Sequence, residues 1–300
     1  MTILITGSTG LLGQALVKRL ALSGEVVGLS RHDVQMPGES AHVVCDLTDA
    51  QAARRAVRET APDVVVHTQA LSDVDRCELE PELAYGMNVR TVEHLCHALR
   101  ARVTPVIALS TDYVFDGTKA SPYDEADEPH PVSVYGRSKL DGERVALRHP
   151  HTYVIRPSTL FGCGRMNFCD AIVERAQQGQ AIHAYTDQRT SPTYTEDLAD
   201  GIGRLISVLA QRRSPPTSPI YHMTNAGGCS RVEFASRVVE WLGRPAALVT
   251  PIRMAEQRRP APRPANSVLT SRYLDGLIGK GLRPWDEALH AYLRARHWIN

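Results

Sequence analysis

The feature that most restricts this chain stands at its start, where a short apolar run at residues 2–5 meets TGSTGLLGQALVKRLALSG without a spacer. The run is β-branched and reads as a buried strand, and Leu12, Leu16 and Leu20 then recur on one face of an amphipathic helix. Between them Gly7, Gly10 and Gly13 give G-x-x-G-x-x-G. Glycines in such a turn remove the Cβ atoms that would block a pyrophosphate, and they aim free N–H groups and the positive helix end at it. A tight packing turn is the plain alternative. Strand, turn and helix in this order at the start of the chain favour nucleotide binding.

The following residues keep alternating. Strands are predicted at Glu25–Ser30 and at residues 42–46, 63–67 and 105–109, and helices at residues 48–60 and 88–101. That rhythm is the signature of an α/β, Rossmann-type, doubly wound parallel sheet, whose ligands lie beyond the carboxyl ends of the strands. Ser30 and Arg31 close the second strand where an acidic residue would meet an unphosphorylated ribose. An arginine there suits a 2′-phosphate, which favours NADP(H) over NAD(H), although it also reads as a solvated loop charge. Asp46 and Leu47 end the third strand and could bracket an adenine by a polar and an apolar contact.

Composition narrows the partner. The 34 basic and 33 acidic side chains of the 300 residues nearly cancel, so no charge field points to nucleic acid, and a small molecule is the better default. The six cysteines form no C-x-x-C pair and no metal-ligand spacing with histidine, which suggests thiols in a reducing compartment. With no signal-peptide pattern and no window near 18 uninterrupted apolar residues, a soluble cytoplasmic protein is expected.

Two further stretches carry chemistry. STDYVFDG puts the Thr111 hydroxyl just after the strand at residues 105–109, where it can donate to a carbonyl oxygen gaining negative charge. Some 24 residues on, VYGRSKL places Tyr135 and Lys139 four apart, on one face of a helix, able to converge on one atom. Taken alone such a pair is ordinary surface. Only four residues of this chain are lysines, which singles out Lys139 a little.

With ITGSTGLLG, LSTDYVFDG, VYGRSKLDGE, SPTYTEDLA, RPANSVL and PWDEAL in this order, the chain resembles the extended short-chain dehydrogenase/reductase family, and within it the dTDP-4-dehydrorhamnose reductase group. The resemblance covers almost the whole chain. It implies hydride transfer from a nicotinamide, NADPH by preference and NADH as second choice, to the C4 ketone of a nucleotide-linked 4-keto-6-deoxy sugar. Thr111 and Tyr135 would hold the carbonyl oxygen, Tyr135 as general acid, and Lys139 would ease proton release from a phenol whose free pKa is about 10. Around the cofactor it places Gly7, Thr9, Gly10, Leu11, Leu12, Gly13, Ser30, Arg31, Asp46, Leu47, Gln69, Ala70, Tyr135, Lys139 and Arg156. Around the substrate it places Ser72, Asp73, Val74, Thr111, Asp112, Tyr113, Thr159, Asn167, Arg189 and Arg263, with no metal and with a homodimer as the expected assembly.

Departures bear on the substrate. Related dehydratases carry Asp then Glu after the threonine, whereas Asp112 and Tyr113 stand here, so simple ketone reduction remains. Gln69 puts a bulky amide where the family has small residues, and Thr159 stands where the reductases carry a tryptophan that offers a flat platform. The non-catalytic β subunit of methionine adenosyltransferase resembles the same group, so a regulatory role is the rival from another class, and a reductase of a different keto sugar is a third option.

Residues 1–162 are expected to form the cofactor domain, completed by parts of 192–225, and residues 163–300 mainly a substrate lobe. There, helices are predicted at residues 169–178, 195–209 and 231–242, the last capped by Ser230 with Glu233 in its first turn. Asp197 and Asp200 read as solvated or capping, residues 211–219 as a loop, and 220–223 as a short strand. The proline-rich run at 258–264 cannot be helical and, followed by NSVL, is expected to close over a ligand. Trp285 and Trp298 read as packing.

Overall fold

In the computed structural model, which describes residues 1–211 and 218–300, seven strands build one all-parallel sheet: β1 (Thr2–Thr6), β2 (Glu25–Ser30), β3 (Ala41–Val44), β4 (Val64–His67), β5 (Val106–Leu109), β6 (Thr152–Arg156) and β7 (Ile220–His222). Their order is β7-β6-β5-β4-β1-β2-β3, which puts the reversal of winding between β1 and β4. Strands buried on both faces need no polar alternation, and β4, VVVH, and β5, VIAL, have none. Helices α1 (Leu11–Leu20), α2 (Ala50–Thr60), α3 (Thr91–Leu99), α4 (Val134–Ala146), α5 (Phe168–Gln177), α6 (Thr195–Gln211), α7 (Arg231–Trp241) and α8 (Trp285–Ala295) complete the frame. Leu12, Leu16 and Leu20 of α1 join Leu198, Ile202 and Leu205 of α6 over one face of the sheet. Ala53 and Val57 of α2 and Leu95 and Leu99 of α3 cover the other.

Element ends follow local chemistry. The helix expected from residue 48 begins at Ala50, because the Asp49 side chain accepts the Gln51 N–H at 2.7 Å and caps it. The strand expected over 42–46 ends at Val44. The helix expected from residue 88 is preceded by a π-turn at Gly86–Arg90 that runs into α3. Ser230 and Glu233 form the capping box foreseen at α7. Asp200 keeps a half-exposed carboxylate that pairs with Arg19 and Arg204, whereas Asp197 is enclosed, accepting from two nitrogens of Arg283 at 2.8 Å and from the Asn225 amide at 2.7 Å. Of the loop expected at 211–219, residues 212–217 lie outside the described residues. Among the described residues no helix is long and apolar enough to cross a membrane.

Beyond β6 the chain builds a second apolar centre of aromatic rings, in which Phe161 lies 5.6 Å from Tyr194 and from Tyr292 and 5.7 Å from Phe234. Trp285 stacks on Phe234, and Trp298 meets Tyr292 edge-on. The proline-rich segment is a strap, as its composition requires. Its continuation is tied down by Tyr123 N–H to Val268 O and Thr270 N–H to Tyr123 O, both at 2.8 Å, and by Ser267 N–H to Arg189 O at 2.9 Å.

One ion pair fixes α4 to the sheet. Arg156, at the end of β6, makes two hydrogen bonds to Glu143 at 2.9 and 2.6 Å, with both side chains 3–4% exposed. Removing one partner of such a pair leaves a buried charge unmatched. Glu143→Ala is therefore expected to lower unfolding stability by about 3–5 kcal/mol in urea titration, and Arg156→Ala by a similar amount.

Candidate active site

The glycine turn lies at the carboxyl end of β1, beside the reversal point. Gly7 has φ +73° and would, with a Cβ, press on the Thr68 side chain and the Gln69 backbone at 2.9–3.1 Å. A Cβ on Gly13 would stand 2.2 Å from Gly7 O, so the turn closes only with glycine there. Gly10 caps α1 without a side-chain hydrogen bond, and no acidic residue occupies its first turn, so the positive helix end faces outward. A cleft of about 400 Å³ opens at this place, lined by Gly7, Thr9, Gly10, Ser30, Arg31, Gln69, Ala70 and Arg165 among others. The Ser8 hydroxyl and the Gln69 amide nitrogen are buried beside it without a partner among the described residues, as polar groups awaiting a ligand would be. This cradle and these groups fit a dinucleotide.

Thr111 follows β5, Tyr135 in the first turn of α4 hydrogen-bonds it, and Lys139 one turn further on reaches back to the end of β5. Ser133 caps α4 by accepting the Gly136 N–H, and Gly136 has to be glycine because a Cβ would meet Tyr113 O at 2.2 Å. This close approach brings Tyr135 against Tyr113, ring centroids 5.7 Å apart and edge to face. Enclosure pushes the Tyr135 phenol above its ordinary pKa, and a hydrogen bond with Thr111 opposes the shift. The Lys139 ammonium donates to Leu109 O at 2.6 Å, and burial pulls its pKa down to about 8 against the attraction of Glu143 one turn along the helix. His67, buried behind the site and bonded to the Thr6 hydroxyl at 2.7 Å, is held neutral, its pKa brought down to about 3 by burial and by Lys139.

A second cavity, of about 520 Å³, begins at Tyr113 and runs under α5 and α7. Arg175, Arg231, Arg259 and Arg263 line it, with Gln188, Tyr185 and the rings of Phe168 and Phe234. Arg231 lies over the Phe168 ring at 5.0 Å and donates to Gln188 Oε1 at 3.2 Å and to the Thr159 hydroxyl at 3.3 Å. Arg259 and Arg263 both pair with Asp75, whose carboxyl they hold down at about 2. Thr159 has φ +25°, an uncommon conformation for a β-branched residue and a sign of local strain.

Several expected contacts are not available. Arg156 is buried in its pair with Glu143 and does not border the cofactor cleft. The Leu47 side chain is fully buried in the core and offers no face to an adenine, while Asp46 accepts from Thr48 N–H and Oγ at 2.9 and 2.8 Å. Leu12 likewise faces the core. Asn167 is a helix cap: it forms the capping box of α5 with Asp170 and donates to Gly162 O at 2.9 Å. Arg189 is half exposed and pairs with Glu233 at 3.2 Å, away from the cavity lining. Asp112 is buried and accepts from Ser158 at 2.6 Å, from Thr111 at 3.0 Å and from Ser267, with burial raising its carboxyl pKa, so it organises the site without facing the cavity. Asp73 caps the short helix Val74–Leu79 through Arg76 N–H at 3.0 Å, and neither it, Ser72 nor Val74 is in the cavity lining.

Sequence reading missed Arg231, Arg175, Arg259 and Arg165. Arg231 follows a helix cap, and nothing local distinguishes it from other arginines; only the meeting of α7 with α5 gives it a pocket.

Comparison with known proteins matches this geometry. The model of the RmlD substrate binding domain matches residues 1–297. A probable dTDP-4,6-dihydroxy-2-methyloxan-3-one 4-ketoreductase of Streptomyces antibioticus is 38% identical over 95% of this chain and 92% of that protein. A dTDP-4-dehydrorhamnose reductase of Streptomyces griseus is 36% identical over 95% and 91%. The crystal structure of dTDP-4-dehydrorhamnose reductase from Bacillus anthracis in complex with NADP superposes with a TM-score of 0.85 at 27% identity, covering 98% of this chain and 99% of that one. The chain belongs to the RmlD substrate-binding-domain family.

Proposed function

We propose that this protein reduces the C4 ketone of a dTDP-linked 4-keto-6-deoxy sugar with NADPH. The observation that carries the reading is that Tyr135 hydrogen-bonds Thr111 and Lys139 reaches the end of β5, in a fold that also holds a phosphate-shaped glycine turn and an arginine-lined cavity beginning at Tyr113. The printed names of both Streptomyces relatives describe work on a ketone of a dTDP-linked ring. The six free cysteines support a reducing, cytoplasmic setting.

Bound NADPH supplies the hydride to C4. As charge grows on the carbonyl oxygen, the Thr111 hydroxyl turns its proton from Asp112 to that oxygen, the Tyr135 phenol donates beside it, and Tyr135 delivers the proton that completes the alcohol. The resulting tyrosinate is costly in an enclosed site, and the Lys139 ammonium on the same helical face lowers that cost. Tyr135 is then reprotonated from solvent. Arg231 and Arg175, which pair with no carboxylate among the described residues, are the cations best placed for the nucleotide diphosphate, in preference to Arg189 and Asn167. Thr159 leaves room where a tryptophan would stack, which suits a sugar other than the rhamnose precursor as readily.

The deciding assay follows NADPH oxidation with dTDP-4-keto-6-deoxyglucose, with and without a preceding 3,5-epimerase. Turnover with at least one of the two is expected, and its absence with both sinks the proposal. Tyr135→Phe keeps the fold and is expected to lower kcat by about 10³ or more. Lys139 must be charged to act, and its pKa lies at about 8. Activity should therefore fall as pH rises through that value, while the raised Tyr135 pKa keeps the phenol protonated across the same range; a flat profile from pH 7 to 10 contradicts this role. Arg31→Ala is expected to weaken NADPH about tenfold or more while leaving NADH nearly unchanged in titrations, since only the former carries the 2′-phosphate.

A further inference from the structure

We propose that Arg165 is a clamp for the pyrophosphate of the dinucleotide, reaching it from a loop outside the glycine turn; this rests on the dinucleotide reading above. Arg165 follows the short strand Leu160–Phe161, which pairs with Thr193–Tyr194 apart from the seven-stranded sheet, yet it borders the same cleft as Gly7, Thr9 and Gly10. Its loop is seated on the first turn of α1. Gly164 has φ +110°, and the Gln14 amide stands 2.4 Å from where its Cβ would be, while Gln14 Nε2–H donates back to Thr9 O at 3.1 Å. From the other side Asn167 Nδ2–H donates to Gly162 O at 2.9 Å and to Arg165 O at 3.3 Å. The capping residue of α5 thus also fixes the backbone that presents the arginine.

The charge balance points the same way. Among the described residues Arg165 pairs with no carboxylate, unlike Arg189, Arg259, Arg263 and Arg296. On its other side Asp170 and Glu174 share a hollow with it, and Asp170 already accepts from Tyr292, Asn167 and Arg296. In a sheet of this winding the pyrophosphate sits at the first helix's amino end, and the residue after β2 meets the adenosine ribose. Arg165, seated on that helix end, therefore faces the pyrophosphate, and Arg31 faces the 2′-position. A guanidinium is suited to bridge two phosphate oxygens.

The pyrophosphate is common to NADPH and NADH, so the effect must not depend on the coenzyme. Titrations of the full-length protein with NADPH, NADH and dTDP compare wild type, Arg165→Ala and Arg165→Lys. Arg165→Ala is expected to weaken both coenzymes by the same factor, about tenfold or more, with Arg165→Lys in between and dTDP binding unchanged, which also reports that the variants are folded. Equal coenzyme affinity in wild type and Arg165→Ala overturns the clamp, as does a loss confined to NADPH or one that extends to dTDP. Failure of the wild type to bind either coenzyme overturns the dinucleotide reading itself, an outcome distinct from loss of the clamp alone.

Discussion

The pair between Glu143 and Arg156 is the contact on which the catalytic geometry depends. It joins β6 to α4 inside the protein, and the same carboxylate accepts from Ser110 at the end of β5. Three elements that arrive from different parts of the chain thereby share one buried anion. Lys139 stands one turn before that anion on α4, so the charge that anchors the helix also opposes the neutralisation of the lysine that burial favours. Burying a salt bridge is a poor way to gain stability, but breaking one is costly, and that asymmetry favours a single arrangement of β5, β6 and α4.

Asp112 performs a parallel task on the substrate side. It follows Thr111 directly, and its carboxylate gathers hydroxyls from Thr111, from Ser158 after β6 and from Ser267 in the strap. A chain crossing the mouth of the site is thus tied to the residue that orients the Thr111 hydroxyl. The strap is held again by Asp75, which follows β4 and binds Arg259 and Arg263. Cofactor cleft, catalytic hydroxyls and substrate cavity are connected through polar contacts, and among the described residues two of the buried groups without a partner, on Ser8 and Gln69, belong to segments beside the cofactor cleft.

What could be read from the sequence was what local chemistry decides. The glycine turn follows from spacing, as do the capping box of Ser230 and Glu233 and the helix that carries Tyr135 and Lys139, because each is settled within a few residues. Asp49 moved a helix start by two residues for an equally local reason that a pattern of apolar positions does not register. Long-range partners were not legible. Nothing in RPSTLFG says that Arg156 meets Glu143, and nothing in RMNF says that Asn167 caps α5 while Arg165 faces another element. With 34 basic side chains, arginine identity alone carries little information about place. Arg231 and Arg165 acquire theirs only when helices distant in sequence pack together.

The central claim is that a hydride reaches the sugar at C4 in this site. The most direct measurement supplies NADPH deuterated at the transferring position and locates the label in the product by NMR and mass spectrometry. One deuterium at C4 of the sugar, absent from the reaction of Tyr135→Phe, is the predicted result. Product without deuterium, or with deuterium at any other carbon, contradicts the account.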